Sequence, residues 1–92
     1  MKASSSALDA TEILDLIREA IRAAMVPTRV PVDEVRTGAT LAEIGLDSMG
    51  AVEVAARLEE ALGIRFPDDQ LARVSSVEDL IAIVQRQLRI GA

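Results

Sequence analysis

Residues 48–63 read SMGAVEVAARLEEALG. The run is free of proline, rich in alanine, leucine and glutamate, and closes on Gly63, which suits the left-handed position just past a helix. It predicts a helix from about Ser48 to Leu62. At roughly 100° per residue, Ala51, Val54, Ala55, Leu58 and Leu62 share one sector about 100° wide. A sector of that kind must be buried, which calls for a bundle. Met49, Val52 and Ala56 cluster on the opposite side, flanked by Glu53 and Glu60 on one edge and Glu59 on the other. Such a patch, apolar with an acidic rim, has the anatomy of a protein-recognition surface. Single exposed apolar residues are also ordinary, and the preceding loop can fold over them, so geometry alone leaves both readings open.

Working outward, Asp9 and Glu12 have the spacing of a capping box, although Thr11 serves equally as a start. Ile13, Ile17, Ile21 and Met25, with Leu14, Ala20 and Ala24 beside them, form an apolar stripe that Pro27 should end at about Val26. Residues 27–47 hold Pro27, Pro31, Gly38 and Gly45 among scattered apolar side chains, and predict a long packed-down loop with a short helical turn over Leu41 to Ile44. Beyond Gly63, Ile64, Phe66 and Pro67 read as an extended link, and Asp68 to Arg73 as one helical turn with Leu71 and Val74 inward. Ser75 and Ser76 each have an acid three residues on and open a last helix, whose stripe is Val77, Leu80, Ile81, Val84 and Leu88. The fold expected is all-α: a small four-helix bundle, three longer helices and one short, with a long loop between the first two. Residues 1–8, with Ser4, Ser5 and Ser6, read as a flexible tail and 9–90 as one domain.

Composition removes several function classes. The 92 residues contain no cysteine and no histidine. Disulfides, thiolate chemistry, a His-ligated zinc and a Ser-His-Asp hydrolase all fall away, leaving only a carboxylate mechanism for any enzyme. The expectation is that the chain is not an enzyme. A net charge of −5 disfavours nucleic acid. No apolar run approaches the roughly 20 residues of a membrane span, and the N-terminus lacks the pattern of a signal peptide, so a cytoplasmic monomer is expected. The single aromatic, Phe66, leaves an aliphatic core.

Gly45, Leu46, Asp47, Ser48 and Met49 bring a serine to the start of the central helix. Asp47 or Ser48 serves there at least as a cap for amides that lack an intrahelical partner. With no internal base, Ser48 does not turn over as a nucleophile. It can still be modified by another enzyme, and a phosphodiester on its oxygen would meet free amides and the positive end of the helix dipole.

From Thr40 to Val84 the chain resembles the acyl carrier protein family. Its G-x-D-S-[LM] motif is met by Gly45, Asp47, Ser48 and Met49. The V-E-x-x-x-x-L-E-E pattern is met by Val52, Glu53, Leu58, Glu59 and Glu60, and the link I-x-[IF]-P-[DE] by Ile64, Phe66, Pro67 and Asp68. The resemblance implies that Ser48 receives 4′-phosphopantetheine from coenzyme A through a phosphopantetheinyl transferase, with Asp47 assisting that metal-dependent step. The arm's thiol would carry acyl groups as thioesters. It also implies that Met49, Val52, Glu53, Ala56, Glu59 and Glu60 face partner enzymes of the acyltransferase, acyl-ligase or ketosynthase type.

Two positions depart from the family. Gly50 stands where many members have an acid or another polar residue, which thins the acidic face, and Arg57 puts a cation near Glu53 and Glu60. The composition leans towards carriers of polyketide or other specialised pathways, with fatty-acid-like biosynthesis beside them. An aminoacyl or peptidyl carrier of nonribosomal synthesis would ordinarily show Gly-Gly-[HD]-Ser, which this chain lacks. The alternative of another class is an unmodified helical adaptor, in which Ser48 only caps a helix.

Overall fold

The computed structural model describes residues 8–91. Helix α1 spans Ala10–Ala24 and is opened by Asp9: its carboxylate accepts the Glu12 amide at 2.8 Å, while the Glu12 carboxylate accepts the Asp9 amide at 2.9 Å. That reciprocal pair decides the start in favour of Asp9 over Thr11. The expected tail 1–8 falls outside the described residues except for Leu8, which packs on the core from the position of a hydrophobic staple. Ile13, Ile17 and Ile21 are fully buried, and burial of each contributes about 1.5–3 kcal/mol.

The stripe stops there. Met25, expected as its fourth member, is 87% exposed. It adopts the left-handed conformation (φ 56, ψ 32), and its amide turns back to the carbonyls of Ile21 and Arg22 at 3.2 and 3.1 Å. The helix therefore closes at Ala24, two residues before the end that Pro27 predicts, and the side chain leaves the core side. A non-glycine residue in that region costs about 1–2 kcal/mol.

The long loop is packed down, as its apolar residues predict. A 3₁₀ turn covers Val32–Glu34, Val35 is buried, and the Arg18 guanidinium donates to the Val35 carbonyl at 2.6 and 3.1 Å. Arg22 pairs with both Glu19 and Asp33. Helix α2 (Leu41–Ile44) is the expected short turn, capped by Thr40 and Glu43. It is tied to the entrance of the last helix: Leu41 donates to the Ser75 carbonyl at 2.9 Å and Val77 to that of Ala39 at 3.0 Å. Helices α3 (Ser48–Leu62), α4 (Asp68–Leu71) and α5 (Val77–Gly91) follow.

Helix α1 packs mainly on α3, and α5 closes the core through Val77, Leu80 and Val84. The core is aliphatic except for Phe66, and no polar side chain is buried among the described residues.

Candidate functional site

The turn between α2 and α3 positions the site. Gly45 is left-handed (φ 97), which lets the chain reverse at the end of α2. Leu46 is buried and anchors the next two residues to the core. Asp47 Oδ1 accepts the Gly50 amide at 2.8 Å and so caps α3. Of the two residues that the sequence left open as caps, Asp47 takes that task.

Ser48 is thereby released. It is exposed, and its hydroxyl makes no hydrogen bond among the described residues. The first intrahelical bond runs from the Ala51 amide to the Asp47 carbonyl at 2.9 Å, so the Ser48 and Met49 amides precede the ladder at the positive end of a 15-residue helix.

Beside Ser48 lies an open groove of about 570 Å³ between α3 and α4. Leu41, Leu46, Ala51 and Val52 line one side and Leu71 and Val74 the other, with Asp47, Asp68 and Ser75 among the polar groups. A hydroxyl on an amide-rich helix end, next to an apolar groove, fits a phosphodiester that leads into a hydrophobic chain.

The outer face of α3 carries most of the expected residues. Met49 is 76% exposed and Val52 54%, with Ala56, Glu53 and Glu60 also exposed. Val52 belongs to the groove as well. Glu59 is partly exposed and has one oxygen engaged: its Oε2 accepts the Phe66 amide at 2.7 Å, which ties the link after α3 to that helix. The wheel placed Glu59 at the rim, but it carries no knowledge of a chain folding back along that edge.

Arg57 lies 3.8 Å from Glu60, and Glu53 has no ion pair among the described residues. Gly50 is buried, and a Cβ there would meet Leu46 Cδ2 at 3.3 Å and Asp47 Oδ1 at 3.4 Å. The position is closely packed by Leu46 and the Asp47 carboxylate and lies off the exposed outer rim.

Residues 11–84 match the sequence model of the phosphopantetheine attachment site family. The acyl carrier protein of Thermobifida fusca is 31% identical over 75 residues, covering 82% of this chain and 84% of that one. The chain belongs to the acyl carrier protein family. Another relative is the anthracycline acyl carrier protein DpsG of Streptomyces peucetius, 27% identical over 92% of this chain and 96% of its own length. Among solved structures, the hexanoyl acyl carrier protein of the actinorhodin polyketide synthase of Streptomyces coelicolor superposes with a TM-score of 0.77 at 28% identity, over 96% of this chain and 100% of that one.

As a member of this family, the carrier holds a covalent 4′-phosphopantetheine, performs no catalysis of its own and works through partner enzymes. No helix among the described residues is long and apolar enough to cross a membrane.

Proposed function

We propose that Ser48 bears the phosphopantetheine arm and that the carrier moves acyl intermediates between the enzymes of a polyketide pathway. The observation that carries this is the unbonded Ser48 hydroxyl, held at the start of α3 and opening onto the apolar groove. Loading forms a P–O bond to Ser48 Oγ as the pyrophosphate P–O bond of coenzyme A breaks and adenosine 3′,5′-bisphosphate leaves with that electron pair. The serine proton passes to a base supplied with the transferase, since no described side chain of this carrier is hydrogen-bonded to Ser48 Oγ and Asp47 Oδ1 is engaged by the Gly50 amide.

The groove is apolar enough to shelter the first part of an acyl chain, and the Met49, Val52, Glu53, Ala56 and Glu60 face is the surface to which acyltransferase, acyl-ligase or ketosynthase-type enzymes come. The names of the anthracycline and actinorhodin relatives support a polyketide cargo. The working unit is the segment 9–90, acting as a monomer in the cytoplasm.

Incubation with coenzyme A and a broad-specificity phosphopantetheinyl transferase, followed by intact-mass measurement, tests the assignment. A single phosphopantetheine increment on the wild type and none on Ser48→Ala is expected. An equal increment on Ser48→Ala would overturn it.

A further inference from the structure

Arg18, Arg22 and Arg57 are ion-paired on α1 and α3. Arg73 and Arg86 have no ion pair among the described residues, although acids outnumber bases in this chain by 15 to 10. Both are exposed, and both line one crevice of about 220 Å³ between the end of α4 and α5. Val74 and Ile83 give that crevice an apolar part, and the Arg86 guanidinium donates to the Gln70 side-chain oxygen at 3.4 Å. On α5, Ala82, Arg86 and Arg89 fall within a sector of roughly 60° and are all exposed, so the cationic strip continues past the crevice.

Asp79 is the one acid lining the crevice among the described residues. Its Oδ2 accepts the amides of Ser75 and Ser76 at 2.9 and 3.2 Å and the Ser75 hydroxyl at 3.1 Å, so it serves the start of α5 and pairs with neither arginine. Two guanidinium groups at one crevice repel each other, and an anion held between them relieves that repulsion.

Val74 lines this crevice and also the acyl groove beside Ser48, so only the short α4 segment separates the two. The sign of charge reverses across it. Asp47 and Asp68 line the groove on the Ser48 side, whereas Arg73 and Arg86 stand on the α5 side.

We propose that the crevice of Arg73 and Arg86 docks an acidic segment of a partner enzyme, whose aspartate or glutamate side chains pair with the two guanidinium forks. Arginine matches a carboxylate in planar, bidentate fashion, and the apolar floor admits the stem of such a side chain. The proposal rests on Ser48 as the attachment point, because it is the arm that brings enzymes to the α4 edge. A nucleic acid carries the same sign of charge, but the net charge of −5 repels its extended backbone.

The probe is a short glutamate-rich peptide, titrated into the isotope-labelled carrier while backbone amide shifts are followed. Shifts should cluster at Gln70, Arg73, Ala82 and Arg86 and weaken as salt is added. Arg73→Gln and Arg86→Gln should each raise Kd about two- to fivefold, the size of one exposed ion pair, with the thermal midpoint kept. Arg36→Gln, which removes another exposed arginine without an ion pair among the described residues, should leave Kd unchanged. Arg73→Glu combined with Arg86→Glu should reject the acidic peptide and accept a lysine-rich one.

Unchanged Kd in Arg73→Gln and Arg86→Gln, an equal loss in Arg36→Gln, or a single-stranded oligonucleotide that binds the same amides more tightly than the peptide would each overturn the proposal. A wild type that gains no mass on loading would instead remove the attachment reading beneath it, and the peptide titration distinguishes the two failures because it needs no arm.

Discussion

Arg29 fills the space in which a side chain at Gly45 would stand: a Cβ there would lie 2.7 Å from Arg29 Cγ and 2.9 Å from its amide nitrogen. The second of these is backbone, so it cannot swing aside. The first loop and the turn that presents Ser48 are thus joined at a position that admits only glycine.

Gly45→Ala should therefore cost about 2–4 kcal/mol, combining the left-handed penalty with overpacking. Gly63→Ala is the control. Gly63 is also left-handed (φ 67) but has open space around it, so its loss should be confined to about 1–2 kcal/mol. Urea denaturation of the two variants measures the difference. Loading of Ser48 should slow only in Gly45→Ala, where the register of the turn is disturbed.

Asp47 holds α3 by its carboxylate and stands next to the serine, so its two tasks can be separated. Asp47→Ala should lose about 1 kcal/mol of stability with the cap. Asp47→Asn keeps an oxygen for the Gly50 amide and should retain the stability, because asparagine caps about as well. Both should load more slowly than the wild type. Thermal unfolding beside intact-mass time courses checks this, and equal loading by Asp47→Asn would show that the charge is not needed.

Glu59 and Glu53 are six residues apart on one helix and should respond in opposite ways. Glu59→Ala leaves the half-buried Phe66 amide without its partner and should cost about 1–3 kcal/mol. Glu53→Ala should stay within about 0.5 kcal/mol of the wild type and instead weaken partner binding. Chemical denaturation and calorimetric titration with a partner enzyme distinguish the two effects.

The start of α5 should carry an acid-sensitive contribution. The Ser75 amide donates to the Asp79 carboxylate and holds its pKa below the ordinary 3.8; slight burial opposes this, and further bonds from the Ser75 hydroxyl and from Ser76 reinforce it. A pKa lower in the folded state means stability that is present above the unfolded value and lost as pH falls through the folded one. The difference in thermal midpoint between wild type and Asp79→Asn should be constant near neutral pH and narrow below 3.8. A gap independent of pH down to the acid limit would contradict the assignment.

Much of this molecule is legible from local pattern. The capping pair Asp9 with Glu12 and the glycine at 63 mark helix ends through bonds that each segment makes with itself, and the structure adds Thr40 with Glu43 and the left-handed Gly45, which do the same for α2. The stripe on α3 names Val54, Ala55 and Leu58 as core because a helix repeats every 3.6 residues whatever packs on it. The motif around Ser48 is legible for the same reason, since its residues are neighbours in the chain.

Local pattern fails where a distant segment decides. Met25 continues the period of Ile13, Ile17 and Ile21, but no glycine or asparagine marks the left-handed closure that falls on it, so its exposure is a property of the folded junction. Glu59 shares a helix with Glu53 but meets the Phe66 amide, a partner seven residues on that the helical period does not supply.

By itself, then, the sequence determined the helices, the aliphatic core and the serine that has no base to make it a catalyst. Tertiary structure decided that an apolar groove opens beside the free Ser48 hydroxyl, that Met25 stands in water and that Glu59 meets the Phe66 amide. The reason is physical. Periodicity sets the angle of a side chain about its own axis, whereas what that side chain meets depends on segments brought alongside by the burial of others.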